Sequence, residues 1–231
     1  MKFQIRDIKK TYRKVVLNEA TLTISSGECV SLVGANGSGK STLLSILAGV
    51  NNADSGQFLI TDTKEIFGKD ETVDLLKKTR LRNQIVSYVP QGTPLVEELT
   101  GMDNLRLWYN KSQIAKSCED GFMGLLGVDA FLDVPVHKMS GGMKKRLSIV
   151  CALAGDPKLL LLDEPTAALD LPCREKIYGF FRDFTSFGGA LLMVTHEPAE
   201  IEMSDTCYIL KDGKTNAYPY KGDIKDLVER L

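Results

Sequence analysis

The chain has 231 residues, 29 Lys+Arg against 30 Asp+Glu, and a formal net charge of −1, with 26% charged and 43% apolar residues. This composition excludes intrinsic disorder, collagen-like repeats and a disulfide miniprotein. The near-zero charge argues against a general nucleic-acid binder, whose domains are strongly basic, so no nucleic-acid partner is expected.

Phe3-Gln4-Ile5, Gln57–Ile60 and Ile85–Val89 read as short strands. They predict an antiparallel subdomain over about residues 1–30 and 56–90. Cys29–Val33 reads as a buried strand entering a Gly-rich turn, and Ser41–Val50 as a helix whose Leu43, Leu44, Leu47 and Ala48 face the core. Residues from about 92 to 155 form a predicted helical subdomain, with loops at Gly124–Asp129 and Asp133–Gly142. Trp108 and Tyr109 are assigned to its core. Leu159–Leu162 is an aliphatic run expected as a parallel strand buried on both faces. Arg174–Phe187 reads as a helix, Ala190–Val194 as a strand, and Thr206–Leu210 with Thr215–Tyr218 as a hairpin. Gly222–Leu231 predicts a short amphipathic helix. The alternation gives an α/β class, in one unit over residues 1–231.

The longest apolar runs are strand-sized, short of the roughly 20 residues a membrane helix needs. The N-terminal residues lack the apolar segment of a signal peptide. Cys29, Cys118, Cys151, Cys173 and Cys207 follow no paired spacing and read as free thiols. A cytoplasmic location is the expectation.

Gly34-Ala35-Asn36-Gly37-Ser38-Gly39-Lys40-Ser41-Thr42 matches the phosphate-loop pattern G-x-x-x-x-G-K-[ST] in full. Such a loop turns its backbone N–H groups around phosphate oxygens. Lys40 offers a point charge to the β- and γ-phosphates and Ser41 a hydroxyl for Mg²⁺. The helix that follows aims its positive end at the same anion. Leu159–Leu162 runs into Asp163-Glu164, which taken alone is a common strand terminus. Beside a phosphate loop, Asp163 becomes a candidate Mg²⁺ ligand and Glu164 a candidate general base for water. Ser140 is a good N-cap for the helix after it. Lys144, Lys145 and Arg146 in its first turn oppose the helix dipole, with no acid nearby in sequence. The run reads either as a solvated basic face or as an anion contact.

Lys138-Met139-Ser140-Gly141-Gly142-Met143 resembles the signature motif of the ATP-binding cassette (ABC) ATPases, usually Leu-Ser-Gly-Gly-Gln. Other landmarks of that family follow in order. Tyr12 is similar to the aromatic that stacks on adenine, and Gln91 in Tyr88-Val89-Pro90-Gln91 to the glutamine that meets Mg²⁺ and water. Leu99-Thr100 with Asn104-Leu105 is similar to the segment after it. Ala167-Ala168-Leu169-Asp170 resembles the D-loop, and His196 in Val194-Thr195-His196-Glu197 the switch histidine beside the γ-phosphate. His137 has no counterpart. Met139 keeps an apolar residue, whereas Met143 lacks the usual amide.

The resemblance implies a phosphate-loop NTPase core of RecA type with antiparallel and helical subdomains, ATP and Mg²⁺ as ligands, and hydrolysis to ADP and phosphate. It also implies a second cassette, identical or not, paired head to tail. Each ATP would then lie between the phosphate loop of one chain, where Lys40, Asp163 and Glu164 act, and the signature helix of the other, with Ser140 and Gly142; Gly141 and Asp170 are further nucleotide-binding candidates, and His196 a catalytic one. A membrane-spanning permease would be the further partner, with this chain peripheral on the cytoplasmic face; Ser140-Gly141-Gly142-Met143 followed by basic residues and Leu147 resembles the exporter-type members more than importers. A mechanical or scaffold ABC ATPase, as in cell division or iron–sulfur assembly, is the alternative, and an unrelated phosphate-loop kinase or GTPase the third class.

Overall fold

The computed structural model describes residues 1–64 and 68–231, the side chains at 116 and 118–120 excepted. The chain runs through β1 (Lys2–Thr11), β2 (Val15–Ser25), β3 (Cys29–Val33), α1 (Lys40–Ala48), β4 (Ser55–Thr61) and β5 (Val73–Asp74). Next come α2 (Thr79–Ile85), β6 (Val86–Val89), α3 (Gly101–Arg106), α4 (Lys111–Asp120), α5 (Phe122–Leu125) and α6 (Gly141–Ala152). The remaining elements are β7 (Leu159–Asp163), α7 (Leu171–Ser186), β8 (Ala190–Val194), α8 (Pro198–Glu202), β9 (Thr206–Lys211), β10 (Lys214–Tyr218) and α9 (Ile224–Arg230).

Two sheets result. The first is antiparallel, in the order β2-β1-β4-β5, and the second runs β10-β9-β3-β8-β7-β6. In the second sheet β3, β6, β7, β8 and β9 are parallel, and only β10 is antiparallel, to β9. The antiparallel region therefore stops short of its expected limits. Val86–Val89 pairs in parallel with Leu159–Leu162, so the Ile85–Val89 run belongs to the core sheet. Strand propensity names a strand but not its partner, and here burial on both faces of β7 supplies the partner. The part of the expected range at 65–67 lies outside the described residues.

The parallel strands are buried on both faces, and their side chains alternate between two cores. Leu159 and Leu161 of β7 join α1 and the antiparallel sheet, with Phe3, Leu43, Leu44 and Phe58. Leu160 and Leu162 face the other way, toward α6 and α7, with Leu147, Ile177 and Phe180. Beyond this second core the helical region hangs on aromatic contacts, among them Phe122 edge-on to Phe180 with centroids 5.2 Å apart. The sheets are joined at β2 and β10, where Asn18 N–H donates to the Gly213 carbonyl at 2.8 Å and Thr21 N–H to Thr215 Oγ1 at 2.7 Å.

Trp108 departs from expectation. It is 63% exposed, because α3 closes at Leu107 and the inward positions are taken by Leu105 and Tyr109. Tyr109 packs against the core and its hydroxyl donates to the Val150 carbonyl at 2.7 Å. Cys29, Cys151, Cys173 and Cys207 are free thiols; Cys118 falls outside the described side chains. Among the described residues no helix is long and apolar enough to cross a membrane.

Leu161 is fully buried between two parallel neighbours. Leu161→Ala should cost about 2–5 kcal/mol through lost transfer energy and the cavity left behind. Urea unfolding should show a lower midpoint at unchanged slope. Val228→Ala, at an exposed position, should stay within about 0.5 kcal/mol.

Candidate functional site

Four adjacent strands, in the spatial order β3-β8-β7-β6, deliver the site. Each is parallel to its neighbour, so their carboxyl ends share one edge, the edge at which open α/β sheets bind ligands. The loop 34–39 leaves β3, Gln91 follows β6, Asp163 and Glu164 end β7, and His196 follows β8.

These loops surround one open cavity of about 830 Å³. Gly34, Ala35, Asn36, Gly37, Gly39, Lys40, Ser41 and Thr42 form its floor, while Gln91, Glu164 and His196 line a wall. Tyr12 reaches the cavity from the turn between β1 and β2. It is 55% exposed, with the Lys10 ammonium 5.1 Å from its ring centre. Val16 lines the cavity as well. No sequence pattern marks Val16, since it gains its place only through the packing of the first sheet against the loop.

The loop's shape needs its glycines. Gly39 sits at φ +108° as the N-cap of α1, and Gly34 is so close to the chain that an added Cβ would lie 2.5 Å from the Leu210 carbonyl oxygen. Either substitution would force backbone to move. Lys40 is buried, and its Nζ donates to the carbonyls of Gly34 at 2.7 Å and Ala35 at 3.0 Å, which holds the ammonium inside the loop. Burial pulls the Lys40 ammonium below its ordinary value, against the opposing pull of Glu164 and Asp163. Ser38 does not line the cavity; its Oγ is buried without a hydrogen-bond partner.

Asp163 is buried at the end of β7. Burial raises its carboxyl above the ordinary value, opposed by hydrogen bonds from Ser41 and Tyr88. The Tyr88 hydroxyl donates to Asp163 Oδ2 at 3.4 Å. Strand alternation places Tyr88 on the sheet face shared with Leu159 and Leu161 of β7. Glu164 leaves the strand at φ +46°, a left-handed conformation unfavourable for a side chain and characteristic of functional turns. This turn directs Glu164 into the cavity while Asp163 stays in the sheet edge. Gln91 Nε2 donates to Glu164 Oε2 at 2.8 Å, so the glutamine and the acid meet directly.

Fully buried Glu200 accepts from Thr166 Oγ1 at 2.5 Å and from Thr195, with its other oxygen unpartnered. Thr166 lies two residues after Glu164, and Thr195 just before His196. The Glu200 carboxyl thus braces both loops from behind. The sequence analysis did not single it out; a lone acid on a short amphipathic turn carries no signal by itself.

Ser140, Gly141, Gly142 and Asp170 do not line the cavity. They form a separate surface. Ser140 caps α6 by accepting from Met143 N–H at 3.3 Å, and Asp170 caps α7 by accepting from Cys173 N–H at 2.9 Å. The two helix starts touch, since a Cβ on Gly142 would lie 2.7 Å from Cys173 Sγ. Met139 is buried in the adjacent core and Met143 packs against it.

The basic turn of α6 is not a free anion site. Lys144 pairs with Glu97 at 2.9 Å, Arg146 donates to the Leu126 carbonyl at 2.7 Å, and Lys145 donates to the carbonyls of Pro90 and Gln91. The acid missing from the local sequence arrives from a segment 47 residues away.

The cavity and its side chains suit a nucleoside triphosphate with its metal. A glycine-lined cradle and a buried lysine accept phosphates, and Ser41 and Asp163 offer hard oxygen donors. Mg²⁺ needs no more from protein, because it keeps waters and phosphate oxygens as its other ligands.

The sequence model of the ABC transporter family matches residues 17–167. The chain is 33% identical to Nod factor export ATP-binding protein I of Sinorhizobium fredii, over 91% of this chain and 60% of that protein. It is 35% identical to the spermidine/putrescine import ATP-binding protein PotA of Spiroplasma citri, over 99% of this chain and 64% of that protein. The chain thus spans about three-fifths of the length of these two relatives. Among solved structures, a dimeric ATP-binding cassette in a post-hydrolysis state with ADP and phosphate matches at a TM-score of 0.79 and 25% identity, over 95% of this chain and all of that one. A complete phosphate loop, a Glu164–Gln91 pair on the same sheet edge, and matches across nearly the whole chain agree: the protein belongs to the ATP-binding cassette family of ABC transporters.

Proposed function

We propose that this chain binds and hydrolyses ATP as the motor subunit of an ABC transporter, and drives a separate membrane-spanning permease from the cytoplasmic face. The observation that carries this reading is the single cavity in which the phosphate loop, Glu164, Gln91 and His196 converge from four strands. Both relatives are named for transport, one for export and one for import. In the proposed reading the permease would set the direction. The mechanical alternative has no observation in its favour.

The chemistry assigns a role to each side chain. Tyr12 stacks on the adenine at the cavity mouth. The backbone N–H groups of residues 34–39 and the Lys40 ammonium hold the β- and γ-phosphates where charge develops during phosphoryl transfer. Ser41, Asp163 and Gln91 would hold Mg²⁺, which would neutralise phosphate charge as a Lewis acid. Glu164 takes a proton from water aligned with the γ-phosphate, and the Gln91 amide fixes the carboxylate's orientation. His196 contacts the γ-phosphate from the end of β8.

Ser140, Gly141, Gly142 and Asp170 form a surface of their own, away from the cavity of the same chain. That placement supports head-to-tail pairing, in which a second cassette, identical or different, covers the nucleotide with these residues. Closure on ATP and reopening after hydrolysis then become the mechanical stroke.

Glu164→Gln should reduce ATP turnover by about 10²–10⁴-fold, the usual contribution of a general base. ATP affinity, measured by fluorescent-nucleotide titration, should change only a few-fold. Turnover at the wild-type rate would remove Glu164 from the proposed role.

Partial burial and the Lys40 ammonium hold the His196 imidazole below its ordinary 6.5, with Glu164 opposing. The neutral ring therefore persists to lower pH in the folded chain than in the unfolded one. The unfolded chain then binds the proton first, so the stability contributed by neutral His196 declines as pH drops below that value. In Lys40→Met, loss of the positive neighbour should raise the His196 midpoint in an NMR titration, with the resonance assigned by His196→Gln. A lowered or unmoved midpoint would contradict the proximity of the two groups in solution.

A further inference from the structure

We infer that Lys145 is a positioning residue: it locks the backbone of Gln91 to the helix that begins at Ser140, and so links the half-site this chain uses to the half-site it offers a partner. This rests on the paired-cassette reading above.

Lys145 lies on the inner face of α6, one turn below the Ser140 cap, and is 5% exposed. Its Nζ donates to the Pro90 carbonyl at 3.1 Å and the Gln91 carbonyl at 3.2 Å. These two carbonyls flank the Gln91 Cα, one in the peptide before it and one in the peptide after it. A single ammonium that holds both restricts φ and ψ of Gln91 together. The Gln91 side chain continues the connection to Glu164 at 2.8 Å.

Packing alone does not call for a lysine here. Leu147, Ile149 and Val150 of the same helix are buried and apolar. Burial pulls the Lys145 ammonium below its ordinary value, and a buried charge costs several kcal/mol unless compensated. Compensation comes from the carboxylates of Asp163, Glu164 and Glu200, which favour its charged form. The cation is therefore placed where its field and its two hydrogen bonds act on the hydrolytic wall of the cavity. Pro90 has no N–H to donate and a Cβ on Gly92 would meet nothing within 4 Å, so the two Lys145 hydrogen bonds act where these neighbours supply little packing. Movement of α6, which carries Ser140–Gly142 toward the partner's nucleotide, is thereby transmitted through Lys145 to Gln91 and Glu164.

The test uses the full chain. Lys145→Met keeps the length and apolar stem of the side chain but removes charge and donors. Its kcat for ATP should fall at least about tenfold, since displacement of a catalytic group by 1 Å costs about 100-fold, while KM for ATP stays within about twofold. Amide hydrogen exchange should accelerate in the 90–95 segment, read at Gln91, Gly92, Thr93 and Leu95, and remain unchanged in 141–152. Lys145→Arg, which keeps a buried donor cation, should restore slow exchange and most of kcat. An unchanged kcat or unchanged exchange at 90–95 in Lys145→Met overturns the inference. A parallel loss of ATP affinity, kcat and thermal midpoint, with exchange raised throughout α6, also overturns it, because that pattern marks a destabilised helix. If the wild-type protein itself shows no ATPase activity, the functional reading fails, and the exchange arm still decides whether Lys145 holds Gln91.

Discussion

The structure depends on a parallel sheet buried on both faces. Leu159–Leu162, Ala190–Val194 and Cys29–Val33 leave no polar face for water, so each strand must be covered above and below and joined to the next by a crossover. Parallel connection then sends every β-to-α loop to the same edge. The phosphate loop, Gln91, Glu164 and His196 come together because their strands are neighbours with one polarity.

That edge concentrates buried charge. Lys40, Lys145, Asp163 and Glu200 are all nearly or fully buried within or behind it. None would be tolerated alone, and each is offset by hydrogen bonds or an opposite charge. Lys40 is held by loop carbonyls, Asp163 by Ser41 and Tyr88, and Glu200 by two threonines. The energetic consequence is preorganisation: the polar groups are oriented by the fold before a substrate arrives. The strained turn at Glu164 belongs to the same design, since the sheet on one side and the Val194 carbonyl that accepts the Glu164 N–H at 2.9 Å hold it in place.

The chain carries two functional surfaces that do not meet. One is the cavity; the other is the start of α6 packed on the start of α7. In the proposed pairing, the two surfaces would complete each other between cassettes, which would make hydrolysis conditional on association. Lys145 and Gln91 form a short path of hydrogen bonds from α6 to Glu164, the route by which the proposed coupling would run.

Much of this was legible in the sequence. The nine-residue run from Gly34 to Thr42, the aliphatic run ending at Asp163-Glu164, and the Ser140-Gly141-Gly142 turn are local patterns whose chemistry constrains residue type at fixed spacing, so they pointed directly to the family and the α/β class. Local pattern does not determine which strands pair. Ile85–Val89 looked like a companion of the antiparallel strands, and only the two-sided burial of β7 drew it into the core sheet. Nor does it determine which partner a charge finds. Lys144, Lys145 and Arg146 read as an uncompensated basic turn until the fold brought in Glu97 and the carbonyls of Pro90, Gln91 and Leu126. Trp108 turned outward and Glu200 inward for the same reason: burial is a property of the assembled layers, and residues far apart in the chain decide it.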